Sequence, residues 1–434
     1  MSAHVLEASA GTGKTYAIAA LATRYLAQGV PLAHLMMVTF SRAATQELRD
    51  RIRARLTSTE TALHEVLAGG EAGSDRVNQL LCTGSPQVLR SRLQRIATAL
   101  ADFDAATITT THEFCGRMLD GLGVLAGTDA TAVLVEDLSD LAREVAADFW
   151  LRAYAGADRP DFSWAEAESI AVRVAHFDGP LAPDPHVLPA FARQLAFAAA
   201  VRRETRRRQS VRGFITHDDL LIKLRDLLLG KASGDAAPDR ELARAVQTRL
   251  RERFRIVLVD EFQDTDPVQW EILYRAFAGH STMALIGDPK QAIYAFRGAE
   301  VNAYLAAVSS PDAQLHTLNT NWRTDAGLVE ALGGLFGNVQ LGDERIVARE
   351  VTAHHRDRFT VDDEEFAAPV RLKVVSPPRD RGARRPSITA LRDRVEEDLV
   401  ADLGRLLSPE TNAQVDLGDG PRPITPRDIA VLVR

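Results

Sequence analysis

The chain has 434 residues, of which 46% are hydrophobic and 26% charged. It is therefore long enough for two or three separately packed domains, and its composition is not that of a disordered protein. It contains no apolar run of membrane-spanning length and no secretory signal, so we expect a cytoplasmic location, and its net charge of -7 excludes binding to nucleic acid by bulk charge but not a local basic groove.

Short apolar runs alternate with helical patterns along the first 290 residues or so. Residues 4–7 predict a strand, and residues 17–26 repeat apolar side chains at helical spacing. Residues 35–40, 256–259 and 283–286 are continuous apolar runs, which is typical of parallel strands buried on both faces. The chain is therefore predicted to have an α/β fold with a parallel sheet.

Two later stretches differ from this pattern. Residues 113–208 carry few strand patterns and several prolines, which predicts an inserted helical subdomain. Near the C-terminus, residues 429–433 predict a last strand after a proline-containing linker. Because a strand normally continues into further structure, we expect the chain to be part of a longer protein.

A phosphate-binding loop is predicted between the first strand and the first helix. Backbone amides of a glycine-rich turn and of a helix N-terminus bind phosphate, Lys14 can reach the β and γ phosphates, and the Thr15 hydroxyl can hold Mg²⁺. The alternative is a chance glycine turn. The sequence predicts an ATP or GTP site with these residues: Ala8, Ser9, Ala10, Gly11, Thr12, Gly13, Lys14 and Thr15. Ala8 replaces the glycine of the generic pattern.

A pair of carboxylates follows the predicted strand at 256–259. Asp260 and Glu261 should emerge at the carboxyl edge of the sheet, where ligands of open α/β sheets bind. Asp260 is predicted to bind Mg²⁺ through water, and Glu261 to accept a proton from the attacking water. The alternative is a solvated acidic turn.

Four segments together resemble successive motifs of the UvrD-like superfamily 1 DNA helicases: AGTGKT at 10–15, DEFQDT at 260–265, GDPKQAIYAFRGA at 287–299 and NWRT at 321–324. Three further stretches, TFSRAATQELRDRI from Thr39, TTTHEFCGRML from Thr109 and EDLSDLAREVAADFW from Glu136, are similar to the RecB branch of that family. The resemblance implies an ATP-dependent helicase that moves 3′ to 5′ on single-stranded DNA. It also implies a role in double-strand break repair and recombination, with RecC-like and RecD-like partner subunits and with single- and double-stranded DNA as substrates.

The same resemblance implies a division of the chain. Residues 1–112 and 211–310 would form a first RecA-like, P-loop NTPase motor domain, interrupted by the helical subdomain at 113–210. Residues 311–434 would begin a second RecA-like domain, which is incomplete. The nuclease domain of RecB-type proteins has no counterpart in this sequence.

Residue roles follow from the matching motifs. Gln291 resembles the γ-phosphate sensor, and Arg323 resembles an arginine finger that stabilises charge on the transferred phosphoryl group. Trp322 resembles the aromatic that stacks on adenine, although a tryptophan here can equally be a core anchor. Flat rings beside phosphate donors also predict a DNA track, for which core packing is the alternative. Its candidates are Thr39, Phe40, Thr111, His112, Phe114, Tyr294, Phe296 and Arg297.

Other interpretations stay open. His112 has no histidine or cysteine at ligand spacing, and Cys82 and Cys115 form no CxxC pair, so no zinc site is expected. The arginines between 202 and 208 predict either a duplex DNA contact or a solvated helix face.

Two other functions are alternatives to the helicase. A P-loop kinase or nucleotide switch would not explain the aromatic segment after Gln291. A catalytically weak ATP-binding scaffold that docks DNA and partner subunits is the remaining alternative.

Overall fold

The computed structural model describes residues 3–126, 132–154, 160–176, 181, 191–231, 238–293, 301–310, 313–337, 339–356, 358–375 and 387–433. The strands are β1 (Ala3–Ala8), β2 (Leu35–Thr39), β3 (Thr107–Thr110), β4 (Val133–Leu134), β5 (Phe214–Ile215), β6 (Ile256–Val259), β7 (Thr282–Gly287), β8 (Ala313–Leu318), β9 (Thr320–Asp325), β10 (Thr352–His355), β11 (Phe359–Thr360), β12 (Gln414–Val415) and β13 (Arg422–Pro423).

The α-helices are α1 (Lys14–Gln28), α2 (Arg42–Leu67), α3 (Arg76–Leu81), α4 (Pro86–Ala101), α5 (Thr111–Leu122), α6 (Ser139–Tyr154), α7 (Trp164–Ala175), α8 (Ala192–Arg212), α9 (His217–Leu228), α10 (Arg240–Arg253), α11 (Pro267–Phe277), α12 (Val301–Val308), α13 (Ala326–Phe336), α14 (Glu364–Ala367) and α15 (Ile388–Leu406). Within the described residues, no helix is both long and apolar enough to cross a membrane.

A six-stranded parallel sheet lies at the centre, with the order β3-β2-β6-β7-β1-β8. This confirms the predicted α/β class and the predicted strands at 4–7, 35–40, 256–259 and 283–286. β1 lies between β7 and β8, so the loop after Ala8 leaves the carboxyl edge of the sheet beside the end of β7. β8 follows the predicted domain boundary at 310 and yet pairs with β1 along six residues.

Both faces of the sheet are covered. Alternating side chains such as Met37 and Leu258 pack under α1, α2 and α4. Their neighbours, such as Val38 and Val259, pack under α5, α9, α10, α11 and α12. α5 therefore belongs to the sheet core, although it lies at the start of the stretch that was predicted as a helical insertion.

α6, α7 and α8 form a separate apolar cluster, which agrees with the predicted helical character of this stretch. Its arginine run is tied to acidic neighbours: Arg208 contacts Glu144 and Asp148 of α6, and Arg206 contacts Asp219 of α9. These ion pairs fit the solvated, structural interpretation of the run better than a duplex DNA contact.

Beyond β8 the chain forms smaller units. β9 pairs with β10 in parallel, and β11, β12 and β13 form an antiparallel sheet. The predicted strand at 429–433 was wrong: these residues have no strand structure, and Leu432 and Val433 are almost fully exposed. An apolar run becomes a strand only where another strand accepts its backbone hydrogen bonds, and no strand among the described residues pairs with this run.

Candidate active site

The loop from Ser9 to Gly13 connects β1 to α1. Gly11 and Gly13 have positive φ angles of 79° and 90°, which favour glycine. The backbone and hydroxyl of Thr12 both donate to the Ser9 carbonyl oxygen, at 3.2 Å and 2.7 Å, and this closes the turn. The N-cap residue of α1 is Gly13, which has no side chain to cap the first backbone N–H groups of the helix. The loop therefore has the features of an anion site.

Lys14 reaches across this loop to the end of β6. Its Nζ lies 2.6 Å from Glu261 Oε2, and the lysine side chain is only 11% exposed. Glu261 has a φ of 48°, a left-handed conformation that is unusual for a glutamate and that tends to occur at functional sites. The two predicted site residues are therefore in contact, and the carboxylate neutralises the charge of the lysine.

Two further carboxyl groups lie beside this ion pair. Burial, followed by the charge of Glu261, raises the pKa of Asp260 to about 6. The same two causes raise the pKa of Asp264 to about 6, and Asp264 Oδ1 has no hydrogen-bond donor among the described residues. Three acidic groups thus lie near one lysine, but among the described residues no group of three or more histidine, cysteine, aspartate or glutamate side chains is arranged to hold a metal ion by itself.

Gln263 connects this acidic group to β7. Its amide nitrogen donates to Glu261 Oε2 at 2.8 Å, and its amide oxygen accepts from the backbone N–H of Asp288 at 2.9 Å. Asp288 in turn accepts a 2.7 Å hydrogen bond from the side chain of Gln291. The predicted sensor Gln291 and the predicted base Glu261 are therefore joined through the Gln263 side chain and through Asp288, and neither of these residues was a predicted site residue.

The β9 segment lies directly against the phosphate loop. Asn321 donates to the Ala10 carbonyl oxygen at 3.2 Å, and the Trp322 backbone N–H donates to the Gly11 carbonyl oxygen at 2.8 Å. A Cβ on Gly11 would lie 2.6 Å from Asn321 Oδ1 and 2.8 Å from Arg323 Cβ. Gly11 is therefore required by this contact as well as by its φ angle.

Trp322 and Arg323 are both exposed beside the loop. The Trp322 ring stacks on His354 with 4.2 Å between centroids, and a Cβ on Gly13 would lie 3.9 Å from Trp322 Cδ1. Arg358 binds Asp325 and donates to the Arg323 carbonyl oxygen, which fixes the end of β9. The sequence did not predict a role for His354 or Arg358, because neither residue lies in a recognisable motif.

The predicted DNA contacts fall into three groups. The prediction that Phe114 stacks on a base is wrong, because its ring is fully buried against Phe254 and Phe277 and no base can reach it. Thr39 and Thr111 are buried, Phe40 is half-buried, and His112 lies 3.5 Å from Asp218 across α5 and α9. Tyr294, Phe296 and Arg297 lie outside the described residues.

The chain is similar to known helicases and helicase subunits. A family profile described as the UvrD/REP helicase N-terminal domain matches residues 1–312. Similar proteins include the RecBCD enzyme subunit RecB of Mycobacterium tuberculosis, 42% identical over 99% of this chain and 38% of that protein. The subunit of the same name from Mycolicibacterium smegmatis is 43% identical over 99% of this chain and 37% of its own length. The one from Escherichia coli is 28% identical over 80% of this chain and 38% of its own length. The chain thus spans less than two fifths of the length of these relatives.

Proposed function

Because this chain belongs to the UvrD/REP helicase family, we propose that it binds ATP with Mg²⁺ and hydrolyses it to drive movement along DNA. The observation that carries the proposal is the contact between Lys14 and Glu261 at the carboxyl edge of the sheet, with the β9 segment laid over the same loop. It brings a phosphate-binding cation, a candidate base and Arg323 to one place.

The residues present fit a nucleotide with its metal ion. The uncapped α1 N-terminus and the glycines of the loop would hold phosphate oxygens, and Lys14 would exchange Glu261 for phosphate. Thr15, the buried Asp260 and Asp264, whose Oδ1 has no donor among the described residues, would supply oxygen ligands of the kind that Mg²⁺ prefers. When bound, the metal ion neutralises charge on the phosphates.

Once Lys14 is drawn to phosphate, Glu261 is free to accept a proton from the attacking water. Gln263 holds the Glu261 carboxylate in place, and Arg323 stabilises the charge that develops on the transferred phosphoryl group. Gln291 reports the state of the γ-phosphate to the segment that follows β7. Trp322 offers its exposed face to adenine.

We further propose that the DNA track runs over the loops at this edge of the sheet. Phe40 and His112, which are half-buried, are its candidates among the described residues. Tyr294, Phe296 and Arg297 are added to it from the resemblance alone. Movement 3′ to 5′, action in double-strand break repair and recombination, and RecC-like and RecD-like partners are proposed from the resemblance and from the names of the relatives.

A catalytically weak ATP-binding scaffold is the second candidate. Its support is the exposure of Arg323, which no described side chain directs toward the phosphate loop. Such a scaffold would bind ATP and DNA with little turnover.

Steady-state ATP hydrolysis with and without single-stranded DNA separates the two candidates. We expect DNA to raise turnover at least about tenfold, and Lys14→Ala to lower it by about a hundredfold or more. Lys373→Ala is the matched control, because it breaks ion pairs to Asp398 and Asp402 far along the chain and leaves the loop intact. Tight ATP binding without DNA-stimulated turnover would favour the scaffold.

A further inference from the structure

Glu7 is a buried carboxylate next to the phosphate loop that the proposed reaction does not use. It lies on β1 one residue before Ala8, opposite Gly287 of β7, and its side chain is only 7% exposed. Taking a carboxylate out of water costs much unless cations compensate its charge. The cations around Glu7 therefore indicate which contacts its buried charge maintains.

Two cations from different segments face Glu7. Arg349, from the stretch before β10, places its Nε 3.0 Å from Glu7 Oε2. Lys290, from the turn after β7, places its Nζ 3.9 Å from Glu7 Oε1. Arg349 is thus the nearer partner of Glu7, and Lys290 is a more distant one.

Lys290 is shared with a second buried carboxylate. Its Nζ lies 2.7 Å from Asp288 Oδ1, in an ion pair rather than a well-aligned hydrogen bond, since the ammonium has no acceptor with hydrogen-bond geometry among the described residues. The other oxygen of Asp288 accepts the 2.7 Å hydrogen bond from Gln291. The charges therefore alternate along one row: Arg349, Glu7, Lys290, Asp288.

The order of these contacts predicts what happens when the row is broken at its outer end. Without Arg349, Lys290 is the one cation near Glu7 among the residues that the structure describes, and the attraction between unlike charges in a buried site draws Lys290 from Asp288 toward Glu7. Asp288 then loses the cation that fixes its carboxylate. Its hydrogen bond to Gln291, and the 3.2 Å bond that it accepts from the Lys290 backbone N–H, lose their anchor.

We propose that Arg349 is a positioning residue of the nucleotide site, whose ion pair with Glu7 keeps Lys290 on Asp288 and thereby holds Gln291 in place. The kinetic part of this inference rests on the proposed ATP hydrolysis; the structural part does not. Arg349 lies outside every motif of the sequence, yet it would set how firmly the γ-phosphate sensor is held.

Amide hydrogen exchange tests the structural part without nucleotide. In Arg349→Met, exchange of residues 287–293 should accelerate by about tenfold, while β2 and β3, in the same sheet, stay unchanged. Arg345→Met is the matched control, because Arg345 pairs with Asp343 on the same stretch and does not contact Glu7. Equal exchange in Arg349→Met and the unmutated chain, or equal acceleration in the sheet, would overturn the proposal.

Turnover tests the kinetic part. Arg349→Met should lower kcat by about tenfold and leave KM for ATP within about twofold, and Arg349→Lys should recover most of kcat because it restores the charge. A fall in kcat that Arg349→Lys does not recover would contradict the charge-based account. If the unmutated chain hydrolyses no more ATP than Lys14→Ala, the proposed function fails, and hydrogen exchange still decides whether Arg349 positions Gln291.

Discussion

The six-stranded sheet and the residues after β8 hold their helices in different ways. α1 and α5 bury a continuous apolar face, and α5 places Phe114, Cys115 and Met118 in the sheet core. α13 and α15 bury no residue among those that the structure describes, and Ile388, Val395 and Val400 of α15 are exposed.

The candidate active site lies where these two regions meet. Its phosphate loop, Lys14, Asp260 and Glu261 are fixed by strands of the sheet, whereas Asn321, Trp322 and Arg323 come from β9, and two hydrogen bonds join that segment to the loop. The difference indicates that the sheet builds the phosphate and metal end of the site, and that the β9 segment adds groups whose position depends on fewer contacts.

Replacing Arg323 tests whether the loosely held side of the site is needed for chemistry. Arg323→Ala should lower ATP turnover by about a thousandfold, because an arginine finger stabilises the charge of the transition state. Nucleotide affinity should change much less, as measured by equilibrium titration. Arg394→Ala, an exposed arginine of α15, is the control; comparable turnover in both variants would show that Arg323 has no part in hydrolysis.

Truncating one side chain in each region measures how differently they are packed. Phe114→Ala should lower the free energy of unfolding by about 3–5 kcal/mol, because it leaves a cavity between Phe254 and Phe277. Val400→Ala on α15 should change it by less than about 0.5 kcal/mol. Denaturant titration measures the free energy of unfolding of both variants. Similar losses in the two variants would refute the difference in packing between the two regions.

The pH dependence of stability tests the buried acid. The pKa of Asp260 is about 6 in the folded chain, against an ordinary value of 3.8. Between these values the folded chain binds more protons than the unfolded chain, so this contribution to stability is present at low pH and is lost as the pH rises through the window. Asp260→Asn removes that loss and should raise the free energy of unfolding by about 1–3 kcal/mol near neutral pH.

The gain in the free energy of unfolding from Asp260→Asn should vanish below about pH 4, because Asp260 is then protonated in the folded and in the unfolded chain. Asp343 is the control in the outer region, since its hydrogen bonds with Arg345 lower its pKa to about 2. Asp343→Asn should therefore lose a little stability at neutral pH, the opposite sign. A gain for Asp343→Asn, or a loss for Asp260→Asn, in thermal melts would contradict the pKa assignments.

The sequence predicted the sheet and the phosphate loop because both follow from local rules. Continuous apolar runs mark strands that are buried on both faces, and the spacing of Gly11, Gly13 and Lys14 marks the turn. The sequence did not show that Phe114 is core, because the same spacing suits a stacking ring or a buried one. The sequence also could not show the contacts of Arg349 with Glu7 and of His354 with Trp322, because these contacts depend on how distant segments pack.

The strand expected at 429–433 has a similar explanation. Val431, Leu432 and Val433 have the composition of a strand, but composition does not provide a pairing partner. In the same way, the sequence allowed either a duplex DNA contact or a solvated helix face for the arginines of α8, and the structure shows Glu144 and Asp148 beside Arg208.

The most direct test of the account is a comparison of Glu261→Gln with the unmutated chain for both ATP binding and ATP hydrolysis in the presence of Mg²⁺ and single-stranded DNA. Because Glu261 competes with phosphate for Lys14 and then accepts a proton from water, Glu261→Gln should bind ATP at least as tightly while losing about a hundredfold or more in turnover. Turnover within about threefold of the unmutated chain would show that Glu261 is not the base and that the proposed motor chemistry is wrong.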